Sequence, residues 1–294
     1  MFKRLGAGLM AVAGSGACMA QTCVPTFGAT FNTGELNGVP YAIGVGNIGG
    51  GVEAFAGGEF TYAAGYRANG IAAWNGSAWR PLGEGFDAPV RAVAVFDDGS
   101  GPALYAGGDF MRSGSTVVSH IARWNGTAWT GLGLGLDGPV NALLAHDDGS
   151  GPALIVGGQF DSPAGLSETH LARWRATGWL PMGSADHAVL TLALHDDGGG
   201  PALYAGGWFT MIGGQPASHV AKWNGVSWSA LGSGTNNAVH TLASYDQPVG
   251  GRALFAGGRF NIAGGVPAVG VARWSGQTWS AAANATGNGA NNHV

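Results

Sequence analysis

The residues most suited to chemistry are three histidines and three adjacent carboxylate pairs. His120, His170 and His219 occupy equivalent places of a repeated unit, whose other two copies hold Asn69 and Gly270 there. Imidazoles converging on one point make a metal site, so their placement matters. The carboxylate pairs are Asp97-Asp98, Asp147-Asp148 and Asp196-Asp197, with Asp246 alone in a fourth copy. Calcium takes about six to eight oxygens, and loops that supply them space their acids at alternate positions. Adjacent pairs followed by glycine do not; a turn favoured by Asp-Gly accounts for them. The chain has no G-x-S-x-G elbow, no H-E-x-x-H, no P-loop and no close carboxylate pair outside the turns. The expectation is a protein that is not an enzyme and holds no metal or cofactor.

Positions where near-identical copies disagree are more informative. The x of a recurring Gly-Gly-x-Phe is Glu59, Asp109, Gln159, Trp208 and Arg259, and the loops that follow (61–69, 111–119, 161–169, 210–218, 261–269) differ too. Loops on a rigid scaffold carry function. These five residues are the candidate ligand-binding positions. Trp208 is the one tryptophan outside the repeat pattern. Either it is exposed, and suited to stacking on a sugar ring or an apolar partner surface, or it packs under its own loop with Met211 and Ile212.

The elements that position these residues come from internal repetition. Gly-Gly pairs stand at Gly57-Gly58, Gly107-Gly108, Gly157-Gly158, Gly206-Gly207 and Gly257-Gly258. Two tryptophans follow each pair: Trp74 and Trp79, Trp124 and Trp129, Trp174 and Trp179, Trp223 and Trp228, Trp274 and Trp279. The copies are spaced by 50, 50, 49 and 51 residues. Each contains four short strand candidates, in the second copy Val90–Phe96, Ala103–Gly108, His120–Trp124 and Ala128–Leu132. Asn125-Gly126, like Asn75-Gly76 and Asn224-Gly225, predicts a type I′ hairpin in which both residues take positive φ. Arg175-Ala176 breaks this pattern in the third copy. Four strands in about 50 residues, repeated, predict an all-β fold, a β-propeller of four-stranded blades. Glycine permits close backbone approach between packed sheets, and the paired tryptophans fill the space between them.

Composition agrees. The chain has 56 glycines without a G-X-Y period, 46% hydrophobic residues, and only 13 basic and 17 acidic residues. Collagen and the disordered class are excluded. A net charge of −4 with no basic cluster argues against nucleic acid or an anionic membrane as partner. Lys3 and Arg4 precede an apolar run, Leu5 to Ala13, which ends in small residues through Ala20. Residues 1–20 therefore read as a secretory signal cut after Ala20, leaving 11 basic against 17 acidic residues. Cys18 falls inside that segment, where a lipid anchor is the alternative, and Cys23 is left without a partner.

Leu104-Tyr-Ala-Gly-Gly108, the Trp124 and Trp129 pair across a hairpin, and the apolar strand Val140 to His146 with its own Gly-Gly together resemble kelch-type repeats. The resemblance covers residues 39–282, between an N-terminal latch segment 21–38 and a tail 283–294. It implies that the Val39-type strand is innermost and the Trp79-type strand outermost. Trp replaces the usual Tyr before the hairpin, and x-Phe after Gly-Gly is constant, so the likeness is to a secreted kelch-like variety. The third strand then lies away from the axis, and sheets pack about 10 Å apart, too far for His120, His170 and His219 to share a metal. The expectation is five blades of about 50 residues each that close on themselves; a six-bladed propeller with an incomplete last blade is the alternative that also fits the ends. The functional expectation is a non-catalytic protein-interaction or cell-surface scaffold using its loop face; the alternative is a lectin-like carbohydrate-binding propeller.

Overall fold

The computed structural model describes residues 35–161, 166–247 and 251–282. The expected signal segment with Cys18 and Cys23, most of the latch segment and the tail lie outside the described residues. Those described contain no α-helix and build five four-stranded antiparallel sheets in chain order. The first comprises Val39–Asn47, Val52–Glu59, Ile71–Trp74 and Trp79–Pro81. The second comprises Val90–Asp97, Pro102–Gly108, Ile121–Trp124 and Trp129–Gly131, and the third Val140–Asp147, Pro152–Gly158, Leu171–Arg175 and Gly178–Leu180. Val189–Asp196, Pro201–Gly207, Val220–Trp223 and Trp228–Ala230 form the fourth. The fifth is Val239–Gln247, Gly251–Gly258, Val271–Trp274 and Trp279–Ala281.

Successive sheets pack face to face, first strand beside first strand, from the first sheet to the fifth. No comparable packing joins the fifth sheet's first strand to that of the first among the described residues. The two repeated glycines have different physical reasons. A Cβ on Gly57, Gly107, Gly157 or Gly206 would stand 2.4–2.7 Å from a valine of the next sheet, Val90, Val140, Val189 or Val239. A Cβ on the second glycine of each pair would instead meet a backbone carbonyl of its own repeat, as Gly108 meets Pro89 at 2.2 Å. The first glycine admits the neighbouring sheet; the second admits its own chain.

The tryptophans pair across strands within each sheet, Trp124 opposite Trp129 with ring centroids 5.3 Å apart. They also bridge sheets. Trp124 covers Gly83 at the end of the preceding sheet, and the two indoles join Leu82, Phe86, Val90 and Phe110 in one buried cluster.

The hairpin between them differs from the type I′ expectation. Gly76, Gly126 and Gly225 have positive φ, but Asn75, Asn125 and Asn224 do not. The asparagine instead turns its side chain inward: Asn125 Oδ1 accepts from the amides of Thr127 and Ala128, both at about 3 Å. A four-residue loop closed by a side-chain acceptor needs left-handed backbone only at glycine. Where Arg175 replaces asparagine, its guanidinium donates to the carbonyls of Ser150 and Gly151, at 2.9 and 2.8 Å.

Candidate functional site

Each sheet has a β-bulge near the start of its first strand, between Pro40 and Ala42, Val90 and Ala92, Val140 and Ala142, Val189 and Thr191, Val239 and Thr241. A bulge inserts an unpaired residue and re-aims its side chain. The inserted residues are Tyr41, Arg91, Asn141, Leu190 and His240. The partner strand ends there at Gly-Gly, or at Gly-Gly-x in the first sheet, so each inserted residue shares the sheet end with an x residue: Tyr41 with Glu59, Arg91 with Asp109, Asn141 with Gln159, Leu190 with Trp208, His240 with Arg259. In the last four sheets the x amide donates to the residue closing the preceding loop, for example Trp208 N–H to Ala188 O at 2.9 Å. Ten variable side chains thus share one end of the sheets. Sequence reasoning found the x residues and missed the bulge residues. Their signal was available, since they follow a repeated strand start and themselves differ in every copy.

The same end carries the loops. A pre-strand Asn or Asp accepts from backbone amides of the loop after Gly-Gly-x-Phe in every repeat, from two of them in four repeats among the described residues, and at Asp137 from Asp161 N–H at 2.9 Å. Asp87 Oδ1 holds Met111 and Arg112 at 2.9 and 3.0 Å, and Asp186 Oδ1 holds Thr210 and Met211 at 2.8 and 2.9 Å. Asn37 and Asn236 do the same. This joins the loops after the second and fourth strands into one face.

On the first two sheets the paired residues satisfy one another. Tyr41 donates to Glu59 at 2.5 Å, and that hydrogen bond raises the phenol's pKa above its ordinary value. Arg91 and Asp109 form a two-pronged ion pair, at 2.6 and 2.7 Å. Asn141 donates its amide to Val189 O at 3.2 Å. The fourth and fifth sheets differ. Trp208 is 43% exposed, which decides against packing under its own loop. One indole face stacks on His187, centroids 5.6 Å apart and planes at 20°, and His187 stacks in turn on His170 at 6.2 Å and 22°.

His120, His170 and His219 do not converge. Each precedes the third strand of its own sheet in left-handed backbone, with φ of 69°, 66° and 67°; the equivalent residues of the first and fifth sheets are Gly70, not Asn69, and Gly270, at 84° and 73°, while Asn69 matches Ser119, both at 45°. Among non-glycine residues, Asn, Asp and His enter that region most readily. Backbone conformation therefore selects the residue type. Burial holds His170 and His219 below the ordinary imidazole pKa. Among the described residues no three His, Cys, Asp or Glu side chains come together as a metal would require.

The Asp-Asp-Gly turns lie at the opposite end and divide their work. Asp97 Oδ1 accepts from the amides of Gly99 and Gly101, at 2.8 and 2.9 Å. Asp98 points into the sheet, where Tyr105 donates to it at 2.9 Å and Arg123 lies 3.6 Å away. Asp148 takes Arg173 at 3.1 Å, with Trp223 of the next sheet as second donor at 3.0 Å. Asp197 takes Lys222 at 2.5 Å and Tyr204 at 2.9 Å. In the first repeat the acid is Ile48, the base Ala73 and the tyrosine Phe55, so the whole polar set is replaced by apolar residues together. That joint replacement identifies the second aspartate as a structural ion-pair partner.

A groove lined by Met182, Trp223, Val226 and Trp228 shares no residue with the ten variable positions. No family model matches the chain, and no curated protein matches it. Among solved structures the chain is similar to the computationally designed Ika8 protein, at 15% identity over 83% of this chain and 75% of that one, with a TM-score of 0.44.

Proposed function

We propose that the chain is a kelch-like β-propeller, each sheet a blade, acting as a secreted, non-catalytic scaffold that attaches to a protein or cell surface through its loop face. One observation carries the reading: a repeated frame gathers ten side chains at one end, and those side chains differ from sheet to sheet. Repetition serves the frame, and variation serves the partner. A site used once per blade would need the same residues in each; five unlike pairs make a single composite site. The lectin-like alternative is favoured at one place, the exposed indole of Trp208.

The test compares two multiple variants of the purified chain on arrays of secreted proteins and glycans. One carries Glu59, Gln159 and Trp208 replaced by Ala; the other carries Asn47 and Asp246 replaced by Ser at the turn end. Binding abolished by the first and kept by the second is the expected result. The reverse pattern sinks the proposal.

A further inference from the structure

The ten variable side chains are unequally satisfied. Tyr41 with Glu59 and Arg91 with Asp109 use up their charge and hydrogen-bonding capacity on one another. At the fifth sheet no carboxylate among the described residues lies within ion-pair distance of Arg259. His240 stands beside it on the bulge and is exposed. Partial desolvation of the ring and the Arg259 charge hold that imidazole below its ordinary pKa, so at neutral pH it carries one donor and one acceptor. The stacked column of His170, His187 and Trp208 begins on the third sheet and ends on the fourth. Among the described residues no ring stacks on the other indole face, and the strand that leads to Trp208 packs beside the first strand of the fifth sheet.

An open indole, a neutral imidazole and an uncompensated guanidinium on adjoining sheets are complementary to a pyranose ring that offers an apolar C–H face, hydroxyls and one carboxylate. We infer that Trp208, His240 and Arg259 form a subsite for a uronic acid residue of an acidic polysaccharide. The sugar's C–H face lies on Trp208, its carboxylate pairs with the Arg259 fork, and a ring hydroxyl meets His240. The inference rests on the loop-face reading above. The chain's net charge of −4 repels polyanions at long range, so recognition depends on this local cation.

The test is calorimetric titration with an oligogalacturonate, its carboxyl-reduced neutral counterpart and a hexaglutamate peptide. It uses the purified chain and its Trp208→Ala, Arg259→Gln and Arg252→Gln forms, each checked for an unchanged thermal transition. The inference expects one site for the oligogalacturonate. Arg259→Gln weakens it about tenfold or more, the loss of one charge-assisted pair. The neutral counterpart binds wild type as weakly as Arg259→Gln binds the acid, Trp208→Ala removes both, and Arg252→Gln, at the opposite end of the fifth sheet, changes neither. Equal binding of neutral and acidic sugars, or indifference to Arg259→Gln, overturns the carboxylate assignment but leaves the loop face. Hexaglutamate binding with the same Arg259 dependence, in the absence of sugar binding, replaces the sugar with a peptide. Failure of every probe overturns the inference alone, because the exchange of multiple variants on arrays tests the loop face separately.

Discussion

The indole N–H of Trp129 donates to the backbone carbonyl of Leu82 at 2.9 Å, reaching from the fourth strand of the second sheet to the end of the first. Trp179 reaches Leu132 at 3.4 Å, Trp228 reaches Met182 at 2.8 Å and Trp279 reaches Leu231 at 2.8 Å. Each sheet is thereby tied to its predecessor by one directional bond inside an apolar contact. Trp129→Phe removes the indole donor and part of the ring area, and leaves the Leu82 carbonyl with only the long bond from Gly85 N–H at 3.4 Å. A loss of about 1–3 kcal/mol in urea unfolding is expected. An unchanged midpoint would show that the bond contributes nothing.

The glycines of the second strands are graded by what covers them. Gly107→Ala drives a methyl into Val140, at 2.4 Å, and is expected to cost about 1–3 kcal/mol by overpacking. Around Gly257 the near atoms belong to its own repeat, Thr241 Cγ2 at 2.8 Å and Gly270 O at 4.0 Å. Gly257→Ala should therefore be the milder change. Equal losses in thermal melts of the two variants would mean that a further sheet covers the fifth.

Acid sensitivity should have two limbs. His195 is 2% exposed, accepts or donates at Ser244 Oγ at 2.9 Å, and is held below its ordinary pKa by burial. The unfolded chain takes up this proton near pH 6.5 and the folded chain does not, so stability falls as pH drops below about 6.5. Burial opposes the Asp148 carboxylate, but hydrogen bonds from Ser150 and Trp223 and the Arg173 charge bring it down to about 2. Its contribution is present above the unfolded value near 4 and disappears as pH falls toward about 2. Melting temperatures of His195→Asn should show a smaller upper limb, to which His170 and His219 also contribute, and those of Asp148→Asn a smaller lower one, shared with Asp98 and Asp197.

The loop face depends on the aspartate clamps. Asp87→Ala frees the amides of Met111 and Arg112 and should cost about 1–2 kcal/mol. Hydrogen exchange should accelerate at those amides while Leu104 and Ala106 stay protected. Uniform acceleration through the second sheet would argue against a local clamp.

Strand order and approximate bounds were legible because a 50-residue repeat displays the same turn and packing chemistry several times over. The variation at Tyr41, Arg91, Asn141, Leu190 and His240 was legible too, but their insertion at the end that carries the x residues was not, because it depends on which strands pair. Nor was the turn at Asn125, where a side-chain acceptor takes the place of a second left-handed residue. The meaning of His120, His170 and His219 changed most. Side-chain chemistry suggested ligands, and positive φ explains them.

Local chemistry in the sequence by itself determined the four-stranded unit, its Gly-Gly-x-Phe and tryptophan positions, and the choice of variable residues. Those depend on spacing along the chain. Tertiary structure alone decided which variable side chains neutralise one another and which stay open. Arg91 finds Asp109 within its own sheet, whereas Arg259 has no carboxylate in reach among the described residues. Whether a charge is satisfied depends on distances between strands and sheets, and no spacing along the chain contains them.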